Sequence, residues 1–210
     1  MGGRPIYAIR QTPAGQGACS AATMTRTLHL IKHGKPQFLA GVPAHEWPLA
    51  PDALTELPAL ADRLDPRPDV IVCSLEPKAH ATAQALAGQL VVPLRPMHGL
   101  HEQLRYTARF HADPADFQAE YHAFFAQSDR LVVGEETARD ACTRFTNVVN
   151  AVMAANPQPT VAAVAHGTVI SLLVAARRGV DPYPLWRELP LLGVLSVPWE
   201  PGPAGARTAL

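Results

Sequence analysis

The stretch TLHLIKHGKP, Thr27 to Pro36, decides how this chain is read. Thr27 to Lys32 has the length and apolar content of a buried strand. It ends abruptly in Lys32-His33-Gly34, a cation, an imidazole and a residue with no side chain, a trio that no fold requires. A second stretch, TVAAVAHGTVISLLVA from Thr160 to Ala175, repeats the plan of apolar strand, His166-Gly167 and then helical apolar spacing. Two His-Gly corners at strand ends predict a parallel sheet whose chemistry lies beyond its carboxyl edge, where loops turn into helices with unpaired N–H groups.

Outward from these corners, further strand-like runs fall at Asp69 to Ser74 (DVIVCS), Val91 to Arg95 and Gly193 to Trp199. Helical patterns lie between them. Ala50 to Leu64 sets Leu54, Leu57, Leu60, Ala61 and Leu64 on one face, and Pro77 to Leu90 has proline in its first turn. Asp113-Pro114 is an N-cap and N1 pair for the helix that follows, Glu135 to Asn156 is a longer helix, and Thr168 to Arg178 stops at a C′ glycine, Gly179. Strands alternating with helices predict an α/β fold, a three-layer α/β/α sandwich with a mostly parallel central sheet of five or six strands and helices on both faces.

Composition narrows the partners. The 210 residues are 48% hydrophobic and 17% charged, enough for one sizeable core over residues 25–210, with the Gly- and Pro-bearing residues 1–24 expected to be a flexible extension. With 18 basic and 18 acidic residues there is no global field to attract nucleic acid or an anionic membrane, so any phosphate binding must be local. No apolar run reaches the length of a membrane span, and the start lacks a signal-peptide core. Cys19, Cys73 and Cys142 are odd in number and far apart, which fits a reducing, cytoplasmic compartment better than a disulfide framework. His98 and His101 in HGLHE suggest zinc, but Gly99 breaks the helix that such spacing needs, and no metal or other cofactor is expected.

The predicted strand ends gather His33, His166, Lys32, Lys78, Glu102 and Arg105, with glycines that let backbone approach a ligand and a helix start that favours an anion. That set suits a phosphoryl group. At this point the chain resembles the histidine phosphatase superfamily, the phosphoglycerate-mutase-like fold. LIKHGKP stands where the family has Arg-His-Gly, with lysine for arginine. VIVCSLEPKAHATAQALA resembles the second block, with Lys78 at the position of its second arginine ahead of Thr82-Ala83. LHEQ matches the acidic loop, GEETARDACTRF the Gly-Glu-Ser helix start, and VAHGTV the second histidine motif.

The resemblance implies a phosphatase in which His33 is the nucleophile, Glu102 the general acid and base, and His166 a catalytic partner. Lys32, Lys78, Gly167 and Thr168 would bind the phosphoryl group, and Arg105 would either contact substrate or cap a helix. The substrate would be a small-molecule phosphomonoester or a phosphoprotein. Lysine keeps the charge of arginine but loses its planar fork, so a second reading is a non-catalytic phosphoanion- or protein-binding member of the fold. A mutase is disfavoured because KPQFLAGVPAHEW lacks the Glu-Ser/Thr and following Asn typical of mutases. Glu120, Glu135 and Glu136 compete with Glu102 for the acid's role, and Cys73 with His33 for the nucleophile's. Phe110, Phe117, Tyr121, Phe124 and Phe125 are expected to pack a helical cap over the crevice.

Overall fold

The computed structural model describes residues 25–108, 111 and 113–200. The expected extension over residues 1–24, together with Cys19 and Phe110, lies outside them. Strands β1 (Arg26–Lys32), β2 (Val70–Cys73), β3 (Leu94–Pro96), β4 (Thr160–Ala165) and β5 (Val194–Trp199) form one sheet in the order β3-β2-β4-β1-β5. All neighbours run parallel except β5, which lies antiparallel to β1.

Alternation along the strands divides the core in two. On one face Leu28, Leu30, Val70, Val72, Val161 and Ala163 meet α4 (Ala138–Ala155) and α5 (Gly167–Arg178). On the other, Ile31, Ile71, Cys73, Ala162 and Val164 meet α1 (Leu57–Asp62) and α2 (Pro77–Leu90). A sheet covered on both faces is the expected three-layer α/β/α sandwich. Two further helices, α3 (Pro114–Ala126) and α6 (Pro182–Glu188), pack together: Trp186 stacks on Tyr121 with centroids 5.0 Å apart.

Local chemistry explains where the elements begin and end. The helix expected over Ala50 to Leu64 is cut to six residues, because Pro58 has no N–H to donate and fits only a first turn. The strand expected from Val91 starts at Leu94, since Val91 instead ends α2 in a left-handed conformation with φ 52°. Asp113 caps α3 by accepting from the Ala115 amide, as its pairing with Pro114 predicts, and Thr137 caps α4 through the Asp140 amide. Asp181-Pro182 starts α6 in the same way as Asp113-Pro114 starts α3, a helix that the expected elements do not include. No helix among the described residues is long and apolar enough to cross a membrane.

Candidate active site

Register builds the site. Lys32 of β1 is level with Ala165 of β4, so the next residue of each strand, His33 and His166, emerges at one height at the carboxyl edge of the sheet. The His33 amide donates to the Ala165 carbonyl at 3.1 Å, and the two imidazoles lie 5.1 Å apart, inclined at 63°. Gly34 is held by the Thr82 hydroxyl, which accepts from its amide, and a Cβ there would come within 2.8 Å of the Ala53 carbonyl. This corner therefore needs glycine.

His33 is buried, and its Nδ1 is 2.7 Å from the Gly34 carbonyl oxygen, which can only accept. Nδ1 thus carries the proton and the lone pair of Nε2 faces outward. Burial first, then the charges of Lys78, Lys32 and Arg105, push the His33 pKa down to about 3 against the opposing pull of the Gly34 carbonyl, so the ring is neutral at physiological pH. His166, fully buried, is held well below the usual histidine value by the same burial and by His33, Lys78, Arg105 and His101. Its Nε2 meets Ser74 Oγ at 3.0 Å, while no protein group pairs with its Nδ1 among the described residues.

The crevice in front of His33 is lined by Lys78, Glu102 and Arg105, as the sequence suggests, and by Glu76 and His101. Glu76 is absent from the set expected on sequence grounds. It stands at the N-cap of α2, where one carboxylate oxygen takes the Glu102 amide at 2.8 Å and the other takes the Lys78 ammonium. Its place two residues before Lys78, in a strand-to-helix turn at the site edge, is the signal that could have found it. Lys78 also donates to the Ala44 carbonyl at 2.8 Å. Lys32 turns elsewhere: its ammonium donates to the Leu189 carbonyl at 2.9 Å, packed against Gly167, and burial lowers its pKa.

Glu102 occupies the head of α5. Its carboxylate faces the Thr168 and Val169 amides, each at 3.3 Å, and accepts from the Gln103 amide at 3.0 Å. Of the donors expected to receive an anion, Gly167 and Thr168, the Thr168 amide is engaged here, together with that of Val169, by a side chain of the protein itself. Its competitors are engaged elsewhere. Glu135 accepts from the Tyr106 and Thr107 amides, Glu120 pairs with His111, and Glu136 is gripped by the fork of Arg144. Arg144 also donates to the carbonyls of Gly99, His101 and Glu102, pinning the loop that carries Glu102.

Arg105 donates to the Tyr121 hydroxyl at 2.7 Å and is the cap residue of none of the described helices. Cys73 is fully buried beneath the site, and burial pushes its thiol up to about 12, which leaves it protonated and unreactive. No group of three His, Cys, Asp or Glu side chains able to hold a metal occurs among the described residues. Of the expected aromatic cap, Phe117 and Tyr121 face a cavity beside the crevice, while Phe124 and Phe125 are buried in the core.

A family model described as the histidine phosphatase superfamily (branch 1) matches residues 28–204. Among solved structures, a mycobacterial glucosyl-3-phosphoglycerate phosphatase aligns with a TM-score of 0.65 at 22% identity, over 81% of this chain and 89% of that one. A phosphoserine phosphatase from Entamoeba histolytica, a mutant in complex with phosphoserine, gives 0.64 at 18% identity over 81% and 89%. Bacillus stearothermophilus YhfR gives 0.63 at 23% identity over the same shares. At such identities the likeness speaks for the fold. No curated protein matches the chain in sequence.

Proposed function

Because the chain belongs to the histidine phosphatase superfamily, we propose that it is a phosphomonoester hydrolase working through a phosphohistidine on His33. The observation that carries this reading is the setting of that ring: Nδ1–H fixed on the Gly34 carbonyl, Nε2 without a hydrogen-bond partner among the described residues, and burial that holds the pKa down to about 3. A neutral imidazole with one oriented lone pair is what attack on phosphorus requires. In the first step the His33 Nε2 lone pair forms the P–N bond as the ester P–O bond breaks, and protonated Glu102 gives its proton to the departing oxygen. In the second, the Glu102 carboxylate takes a proton from water, whose oxygen attacks phosphorus and releases inorganic phosphate and neutral His33.

Negative charge on the phosphoryl oxygens is met by Lys78, by His166 and by the amides at the head of α5, which Glu102 vacates as the substrate's anion arrives. Lys32 contributes its charge from behind Gly167. All of this positive potential comes from side chains and backbone, so the scheme calls on no metal. Replacing His33 with alanine should abolish turnover and, with it, acid-labile and base-stable labelling by a reactive phosphoester. Undiminished hydrolysis in that variant would overturn the mechanism.

One observation favours the non-catalytic reading. Both lysines already have partners, Lys78 in Glu76 and the Ala44 carbonyl and Lys32 in the Leu189 carbonyl, so an arriving anion competes with groups of the protein itself. Vanadate binding without hydrolysis of any ester would decide for that alternative.

A further inference from the structure

A second cavity, of about 330 Å³, adjoins the His33 crevice, and Ala44, Arg105 and Tyr106 line both. Its wall is built of rings. Phe38 and Trp47 come from the segment after β1, in contact with centroids 4.1 Å apart, and Phe117 and Tyr121 come from α3. The segment after β1 is held in place: the Trp47 indole donates to the Val42 carbonyl, Pro36 bridges to Leu49, and a short 3₁₀ turn spans Ala44–Glu46. The wall is therefore a formed surface, of a size within the range of roughly 300–1,000 Å³ usual for small-molecule sites.

We propose that this cavity receives the leaving group of the substrate, and that the leaving group is aromatic and about two rings in size. The assignment rests on the hydrolase reading for the phosphoryl end of the molecule. Three arguments carry it. The shared lining puts the cavity beside the crevice in which the ester oxygen leaves phosphorus as His33 attacks. The cavity volume of about 330 Å³ lies at the small end of the usual range for ligand sites, room for a compact group of about two rings.

The third argument is chemical. Ring faces favour offset or edge-on partners, and the Arg105 guanidinium, 5.7 Å from the Tyr121 centroid and 5.9 Å from that of Phe117, extends the aromatic surface to the junction with the crevice. Hydroxyl-rich leaving groups such as sugars or glycerate need a polar partner for each hydroxyl they bury. The ionisable pair in this wall, His111 and Glu120, is already joined at 3.0 Å. The rest of the wall is mostly ring and apolar surface, with Arg105 and Tyr106 at the junction with the crevice, and an aromatic ring needs no polar partner there.

The test compares 4-biphenylyl phosphate with phenyl phosphate, whose leaving phenols are of similar acidity, so that a difference reads the second ring and not the chemistry. Wild-type protein should favour the biphenylyl ester by about tenfold or more in kcat/KM, chiefly through KM. Ala108→Trp, which fills the cavity, and Trp47→Ala, which removes part of its wall, should each bring that ratio down to about one. Direct binding of 4-phenylphenol to the His33→Ala protein, followed by calorimetry, reads the cavity without turnover and should be lost in the His33→Ala, Ala108→Trp protein. Equal kcat/KM for the two esters, or a preference for glycerol phosphate, combined with no binding of 4-phenylphenol, overturns the proposal. Binding of 4-phenylphenol by a protein that hydrolyses neither ester supports the cavity assignment and removes the hydrolase reading alone.

Discussion

Glu76 controls how much positive charge the crevice can offer. Its carboxylate joins the Lys78 ammonium to the backbone of Glu102, so an arriving phosphate must compete with an anion already seated on the lysine. Two unit charges about 4 Å apart interact by roughly 4 kcal/mol at the effective dielectric of a partly buried site, enough for a fixed carboxylate to weaken a dianion substantially. Glu76→Gln keeps the shape and removes the charge. Calorimetric titration should show vanadate binding about tenfold more tightly to this variant, roughly 1.4 kcal/mol, with a steeper dependence on salt. Weaker binding would mean that Glu76 serves to aim Lys78 at the anion. The sequence pattern points to His33, Lys78 and Glu102 but not to this residue, because a carboxylate in a polar turn is ordinarily solvated and its partner Glu102 is 26 positions away.

At the scale of elements, the loop after β3 owes its shape to the approach and first turns of α4. Gly134, with φ 69°, passes so close to this loop that a Cβ would lie 2.2 Å from the Leu104 carbonyl oxygen and 2.6 Å from the Arg105 Cα. Gly134→Ala has to push Leu104 and Arg105 aside and adopt an unfavourable backbone conformation. It should destabilise the protein by about 2 kcal/mol or more in urea titration and lower turnover together with stability. Unchanged stability would show that the loop yields freely. Such coupling separates what is legible in the sequence from what is not. Strands, crossover helices and the two His-Gly corners follow from local period and punctuation. The support given by Arg144 to the carbonyls of His101 and Glu102 spans 43 and 42 residues, and no local pattern carries it. Expectation and structure part where one residue overrides periodicity, as Pro58 does in α1 and Val91 at the end of α2.

For the molecule as a whole, burying neutral imidazoles makes stability depend on pH. His29, His33 and His166 all titrate below the usual histidine value, with burial the leading cause in each. In the unfolded chain they protonate near pH 6.5, while His33 in the native fold does so only near 3. Between those values the unfolded state binds more protons. The stabilisation is complete above about pH 6.5 and is lost progressively as pH falls toward the folded value. His33 alone contributes a loss of about 2 kcal/mol by pH 5, and the other two act in the same direction. Urea midpoints measured from pH 7.5 to 5 should fall, and the double variant His33→Gln, His166→Gln should flatten the slope. A flat wild-type profile would mean that these rings titrate in the native state as they do in the unfolded chain.

The antiparallel β5 has a consequence for how this protein comes into being. Its approach fixes the His33 corner: the Lys32 amide donates to the Gly193 carbonyl at 2.9 Å, the Leu192 amide to the His33 carbonyl at 3.4 Å, and the Lys32 ammonium to the Leu189 carbonyl. All three partners lie far downstream of the strand they hold, 157 positions in the case of Leu189. A ribosome adding roughly 5–20 residues per second exposes β1 long before β4 and β5 exist, so the nascent chain carries His33 without its partners until then. Pairings this distant in sequence also close late and slowly once the chain is free. The corner that carries His33 is thus completed only after β4 and β5 have left the ribosome.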